Sequence, residues 1–400
     1  MSLLCVFSIY PIRKHLYEFF LLFHITFAVL LLIAIFYHVS IFDGEYNGYI
    51  WACAAVWSLD RLCRISRIVS LNFLGRKSTA TFNPDANTVS LDVPVRSWLR
   101  PKPGSYYFVY LVHGIKPWES HPFTLSSWTI PSEWEPEADS SHSTIGRTTK
   151  PKNLNLSFIV RPHHSFTGRL RNLIIANHNR DQENVATSST GRIQSPVRVL
   201  VEGPYGSPHT HRLDRYKSVL FIIGGSGITV ALAYFRTLLD VLKQKHPIRL
   251  QQINLVWAVR DAAMFLEVFG DELGAFWRQQ NSEVSSAVKL QIDLYISDSA
   301  ATLHQSGTSS PPEVGEVEEE KRAEAAVTAA TASDSSSSTR TSSAHSRTST
   351  EASINATNGQ KMAIVCCGPS RMADDTRAAV VSALAKGYEG ITFYPEQFNW

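Results

Sequence analysis

The stretch Ser218–Thr229, SVLFIIGGSGIT, constrains the fold of this chain more than any other. A wholly apolar strand runs into a glycine turn, and an amphipathic helical pattern, VALAYFRTLLDVLKQ, follows directly. INLVWAVR then reads as a buried strand, Met264–Gln279 as a helix and KLQIDLYIS as a strand. KMAIVCCG is a further strand, before the helix ADDTRAAVVSALAKG. Strands alternating with helices predict an α/β doubly wound parallel sheet over 214–400. Glycines at the first turn let a backbone approach a pyrophosphate, with the helix N-terminus behind it. Gly224, Gly225, Ser226, Gly227, Ile228 and Thr229 are therefore candidate nicotinamide-nucleotide contacts, and Gly203, Pro204, Tyr205 and Gly206 are grouped with them. The plainer alternative is a tight turn that packs helix on strand.

Upstream, 73–213 has another texture. TVSLDVPV, YYFVYLVHG, LNLSFIVRP and PVRVLVEG are short, β-rich and broken by Pro and Gly, which predicts a small antiparallel β-barrel. His121-Pro122-Phe123-Thr124 lies in this part. A flavin is a flat, electron-poor ring that needs close backbone, a hydroxyl near N5 and an apolar wall, and these four residues supply them. A strand that merely ends at a proline explains the same four letters. Residues 299–360 are rich in Ser, Thr and Ala with an acidic cluster at Glu313–Glu324, and read as a disordered insertion.

The N-terminal part, 1–72, is expected to be a transmembrane hairpin. Phe19–Val39 is 21 residues without a formal charge, or about 31 Å of helix, one hydrocarbon core. A weaker segment, Tyr46–Val69, carries Asp60, Arg61, Arg64 and Arg67 in its last third. Basic residues flank the pair and the intervening loop holds only Asp43 and Glu45, so both ends are expected on the cytoplasmic side. His24 and His38 are 14 residues apart, an offset of about 40° that puts them on one helical face. Such a pair suits two stacked haems; it also suits two histidines bonded to neighbouring helices.

Composition narrows the classes. A net charge of +3, with no basic stripe interleaved with aromatics, argues against nucleic acid. The five cysteines show no CxxC or CxxH spacing, which argues against zinc and a disulfide framework. Cys366 and Cys367 are adjacent, so they point to opposite faces of a strand.

IRKHLYEFFLLFH with His38 following, WSLDRLCRISR, HPFT, VEGPYG, GGSGIT, CGP and the terminal FNW together resemble the fungal ferric-chelate reductases, in the superfamily that also holds the NADPH oxidases. The resemblance implies a ferredoxin reductase-like pairing of an FAD domain with an NADPH domain. It implies a path from NADPH through FAD and b-type haem to ferric chelates beyond the membrane, with the plasma membrane as the location and the C-terminal domains cytosolic. It puts Thr124 near flavin N5, and Arg161 and Thr167 at the flavin pyrophosphate, although Arg161 reads equally as a surface charge. It places Cys367 beside the nicotinamide, with Gly368 and Pro369 at the same strand end, although Cys367 also reads as a small buried residue. Arg260 would take the 2′-phosphate of NADPH, and Trp400 would stack on the isoalloxazine. Thr124, Cys367 and Trp400 are the catalytic candidates, and His24 and His38 the metal ligands. Family members hold two haems with four histidines, whereas this chain offers one pair, so a truncated N-terminus is expected. An oxidase reducing oxygen shares these motifs; a non-catalytic regulatory membrane subunit is a further alternative, against which the intact HPFT, GGSGIT and CGP argue.

Overall fold

A computed structural model of the chain describes residues 17–72, 77–97, 101–113, 119–129, 152–163, 165–182, 191–206, 212–243, 249–260, 262–269, 273–274, 288–296, 350–351, 353–354 and 361–396. Helices α1 (Tyr17–Val39) and α2 (Asn47–Leu71) form the N-terminal hairpin. Gly44 closes it at φ +90°, a conformation that favours glycine, and Phe36 meets Trp51 edge-on at 5.8 Å across it. Among the described residues one helix, Phe20–Phe42 by hydropathy, is long and apolar enough to cross a membrane. The expected second span is corrected. Helix α2 has the length, but Asp60, Arg61, Arg64 and Arg67 crowd its C-terminal third. Part of that charge is used elsewhere: Arg64 lies 3.8 Å from the buried Glu202 of a β-strand.

The next part contains strands β1 (Ser78–Asn83), β2 (Thr88–Ser97), β3 (Tyr106–Leu111), β4 (Ser120–Thr124), β5 (Ser127–Thr129), β6 (Lys152–Val160), helix α3 (Phe166–Gln182), β7 (Ile193–Val197) and β8 (Val199–Tyr205). Among the described residues these strands form two antiparallel sheets, β5-β6-β2-β1-β7 and β4-β3-β8, where a single barrel was expected. The β1–β2 turn shows how local chemistry sets the register. Asn83 Oδ1 accepts the Asp85 N–H at 3.0 Å, Pro84 follows it, and Asn87 takes φ +45°. Alternate residues Val89, Leu91, Val93 and Val95 then enter a core shared with Tyr107, Phe158, Phe166 and Leu170.

The last part is a five-stranded parallel sheet, made of β9 (Ser218–Gly224), β10 (Gln252–Val259), β11 (Lys289–Ile296), β12 (Met362–Cys367) and β13 (Ile391–Pro395), in the order β11-β10-β9-β12-β13. Helices α4 (Ile228–Lys243), α5 (Ala262–Val268) and α6 (Ser370–Ala385) join it. Both faces of β9 and β12 are covered: Phe221 and Cys367 fall in one apolar cluster, Leu220 and Cys366 in another. Strand β9 starts the progression, β10 and β11 extend it to one side, and β12 and β13 to the other. The switch of direction lies between β9 and β12, where open α/β sheets bind ligands at their carboxyl ends. Of 299–360, only residues 350–351 and 353–354 are described; they are helical, and Thr350 and Ile354 are buried. Ile354 packs with Leu220, Met362 and Ile364.

Candidate functional site

The glycine turn sits at the switch point. Gly225–Gly227 form one 3-10 turn before α4, and Trp257, fully buried on β10, holds it by donating Nε1–H to the Gly225 carbonyl at 3.0 Å. The glycines differ in purpose. A Cβ on Gly224 would meet Pro369 Cδ at 2.8 Å, and one on Gly227 would meet the Cys367 carbonyl oxygen at 2.6 Å. Those two admit β12 rather than a ligand. Gly225 has φ +53° and open space where a Cβ would stand, at a helix start that leaves room for a pyrophosphate. Thus Gly224–Gly227 and Cys367-Gly368-Pro369, about 140 residues apart in sequence, form one place.

Ile228 and Thr229, both expected at the nucleotide, also serve the turn itself. Ile228 buries its side chain in the core and its N–H is bonded to the Gly225 and Ser226 carbonyls. Thr229 turns its hydroxyl back onto the Ser226 carbonyl at 3.2 Å. Both build the turn. Ser226 is exposed, as is Arg260 one residue beyond β10.

Strand β3 gathers the other motifs. Thr124 of β4 and Tyr205 of β8 both lie opposite Tyr106, one on each side. Tyr106 stacks on Tyr205 at 5.7 Å. A hydroxyl and two stacked rings in one row suit the edge and face of a flavin. Gly203, Pro204, Tyr205 and Gly206 thus lie on the antiparallel module, across β3 from His121–Thr124. A Cβ on Gly203 would strike the Tyr107 ring at 2.5 Å, so that glycine serves packing. Phe123 packs on Phe166 at 5.9 Å, and Pro122 pairs with Phe108 in register.

Side-chain networks hold this row. Buried Glu119 binds Arg169 at the start of α3 and lies 3.1 Å from His121 Nε2, while the His121 ring rests 4.8 Å from Phe166. Glu202, fully buried, accepts from Tyr110 at 2.6 Å and from Tyr205. Burial first, then Glu202, pushes the Tyr110 phenol up to about 12. Asn72, just past α2, exchanges two 2.8 Å hydrogen bonds with the Val201 backbone, and Arg67 stands 5.3 Å over the Tyr205 ring. Thr167 accepts the His163 N–H at 2.8 Å, and a Cβ on Gly168 would meet the His163 carbonyl at 2.5 Å. The α3 entry is thus tightly wound, with Arg161 half-buried just before it.

Sequence reasoning missed Glu396, Arg169 and Glu202. Glu396 joins the two halves. Its N–H donates to the Cys366 carbonyl at 2.9 Å, Tyr234 of α4 donates to its carboxylate at 3.3 Å, and a Cβ on Gly104 would lie 3.4 Å from either carboxylate oxygen. A Cβ on Gly206 would in turn meet the Gly104 carbonyl oxygen at 2.7 Å. Burial raises the Glu396 carboxyl above its ordinary range. Burial likewise pushes the Cys367 thiol up to about 12, with Cys366 and Glu396 adding to it. Cys366 faces away, near Thr376 Oγ1 at 3.7 Å. An isolated glutamate after Tyr394-Pro395 gives no motif to read.

His24 and His38 are both exposed on α1, and α2 carries no histidine. Among the described residues that set does not complete a bis-imidazole haem. Trp400 lies outside the described residues.

A parallel sheet with a glycine turn at its switch point, set against an antiparallel module with a hydroxyl-and-ring row, defines a flavin and nicotinamide-nucleotide protein. Residues 73–135 match an FAD-binding domain and 216–381 the ferric reductase NAD binding domain. Both matched stretches make the chain similar to the fungal ferric reductases. It is 26% identical to ferric reductase transmembrane component 3 of Saccharomyces cerevisiae over 98% of this chain and 48% of that one. To a probable cell surface ferric reductase, kap2, of Aspergillus oryzae it is 29% identical over 68% of this chain and 32% of the relative. The chain spans about half the length of the first of these. Among solved structures, a ferredoxin-NADP+ reductase from Plasmodium falciparum with 2′P-AMP aligns with TM-score 0.42 and 11% identity, covering 82% of this chain and 99% of that one.

Proposed function

We propose that this chain is the electron-input part of a membrane ferric-chelate reductase that draws on NADPH. The observation that carries the reading is the convergence of Gly225, Cys367 and Glu396 at the switch point, beside the Thr124–Tyr106–Tyr205 row, across Gly104. A flavin bound at that row would accept a hydride from reduced nicotinamide and release electrons one at a time. The chain's residues position rather than react. Tyr106 and Tyr205 supply a flat wall, Thr124 a hydroxyl, and the α3 N-terminus a positive dipole end for a pyrophosphate. Cys367, kept as a thiol, is a small apolar wall and no nucleophile. Glu396 keeps a proton on its carboxyl to higher pH than an ordinary glutamate, which limits negative charge beside a ring that takes up electrons. Arg260 is suited to the 2′-phosphate that separates NADPH from NADH. Helix α1 would anchor the chain in the membrane, with the two nucleotide modules on the cytosolic side of the plasma membrane.

The test uses the full chain in detergent. Flavin absorbance at about one equivalent, and NADPH-driven reduction of ferricyanide and a ferric chelate, are expected. A folded chain that is colourless and inert would refute the reading, and superoxide formation with no chelate reduction would move it to an oxidase.

A further inference from the structure

The amino end of the parallel sheet, remote from the glycine turn, carries a feature that hydride transfer does not use. Arg212, Arg215, Arg249 and Lys361 line one cavity of about 760 Å3 together with Tyr216 and Tyr394. Topology gathers them. Arg212 and Arg215 lead into β9, Arg249 into β10 and Lys361 into β12, and because these strands run parallel their entries share one edge. Strand β9 has seven residues, which sets this edge about 20 Å from Gly224. Asp214 offsets one cation: Arg212 Nη2 donates to it at 2.9 Å. Among the described residues, Arg215, Arg249 and Lys361 have no acidic side chain opposite. The Tyr216 and Tyr394 hydroxyls meet at 2.6 Å in the wall, and the Asp214 carbonyl fixes the Arg249 N–H at 3.0 Å, so the lining is braced.

Uncompensated cations converging on one cavity repel each other and concentrate anions from solution. Guanidinium groups match phosphate oxygens in planar, paired hydrogen bonds, and several such groups match more than one phosphate. The volume is that of a small-molecule site. We propose that this cavity binds a multiply phosphorylated anion, at a site separate from the nicotinamide nucleotide. A soluble polyphosphate and a phosphorylated lipid headgroup share that chemistry.

The experiment is calorimetric and independent of electron transfer. The full chain in phosphatidylcholine nanodiscs, saturated with NADP+, is titrated with inorganic tripolyphosphate. One saturable site is expected, weakening as ionic strength rises. Arg249→Ala with Lys361→Ala should weaken it at least about tenfold without shifting thermal unfolding. Repeating the titration in discs that carry phosphatidylinositol bisphosphate separates the sources: lost tripolyphosphate binding assigns a headgroup, and unchanged binding a soluble ligand. No saturable binding, or equal affinity in the double variant, overturns the proposal.

Discussion

The two halves of the candidate site are built by different means. On the parallel sheet, the glycine turn and the end of β12 meet through backbone: Gly224 and Gly227 exist so that β12 and its Cys367-Gly368-Pro369 turn can come within contact distance. On the antiparallel module, the Thr124–Tyr106–Tyr205 row is held by acids buried among phenols and arginines, Glu202 on one side and Glu119 on the other. A backbone-built site tolerates changes of side-chain chemistry and no added atoms. A side-chain-built site should behave in the opposite way.

The sharpest break of that contrast is Gly227→Ala. Its Cβ would stand 2.6 Å from the Cys367 carbonyl oxygen, and backbone cannot move aside cheaply. A loss of about 2–4 kcal/mol in stability and collapse of NADPH-driven dye reduction are expected, read by thermal unfolding and steady-state rates. Bound flavin per folded chain should stay near wild type, because the antiparallel half is untouched.

Next comes Glu202→Ala, which leaves two phenol donors without their acceptor and strands Arg64. Destabilisation by about 2–3 kcal/mol is expected, with loss of flavin. Wild-type flavin content in the folded variant would show that this network does not shape the row.

Arg260→Ala tests whether the backbone-built half contains one chemical specificity element. A rise of about tenfold in KM for NADPH, with NADH unchanged, corresponds to one lost charge-assisted bond. Equal effects on both nucleotides would remove Arg260 from the site.

Glu396→Gln probes the seam between the halves. Its folded-state carboxyl is raised above the ordinary value of 4.5 by burial. The folded state then holds more protons than the unfolded one, so wild-type stability falls as pH climbs above that value. The variant, which cannot ionise, should unfold at a higher temperature than wild type near neutral pH and lose that advantage below about pH 4. A constant difference across pH would mean that Glu396 does not titrate this way.

The smallest effect is expected for Cys367→Ala. A thiol pushed up to about 12 is protonated at neutral pH, so iodoacetamide should modify it slowly and dye reduction should change by no more than about threefold. Abolished activity would give the sulfur a chemical role.

Legibility followed the same division. SVLFIIGGSGIT and the strand–helix alternation after it could be read directly, because a buried parallel strand and a Gly turn leave strong local signals. Adjacent Cys366 and Cys367 on opposite faces follow from strand geometry alone, and the two apolar clusters contain one each. HPFT could be found but not fully interpreted, since its meaning depends on pairing with β3. The second membrane span was over-read: a long helix is visible in sequence, whereas the use of Arg64 and Arg67 against Glu202 and Tyr205 is not.

The sequence by itself determined the alternation of elements, the apolar length of α1 and the glycine turn, since each depends on residues within a few turns of one another. Tertiary structure alone decided that Gly203–Gly206 join HPFT through β3, that two of the turn's glycines serve packing, and that Glu396 sits between Tyr234, Cys366 and Gly104. Those contacts join residues up to about 290 positions apart, and burial, which sets the protonation of Glu396 and Cys367, is a property of the packed neighbourhood and not of any local run of residues.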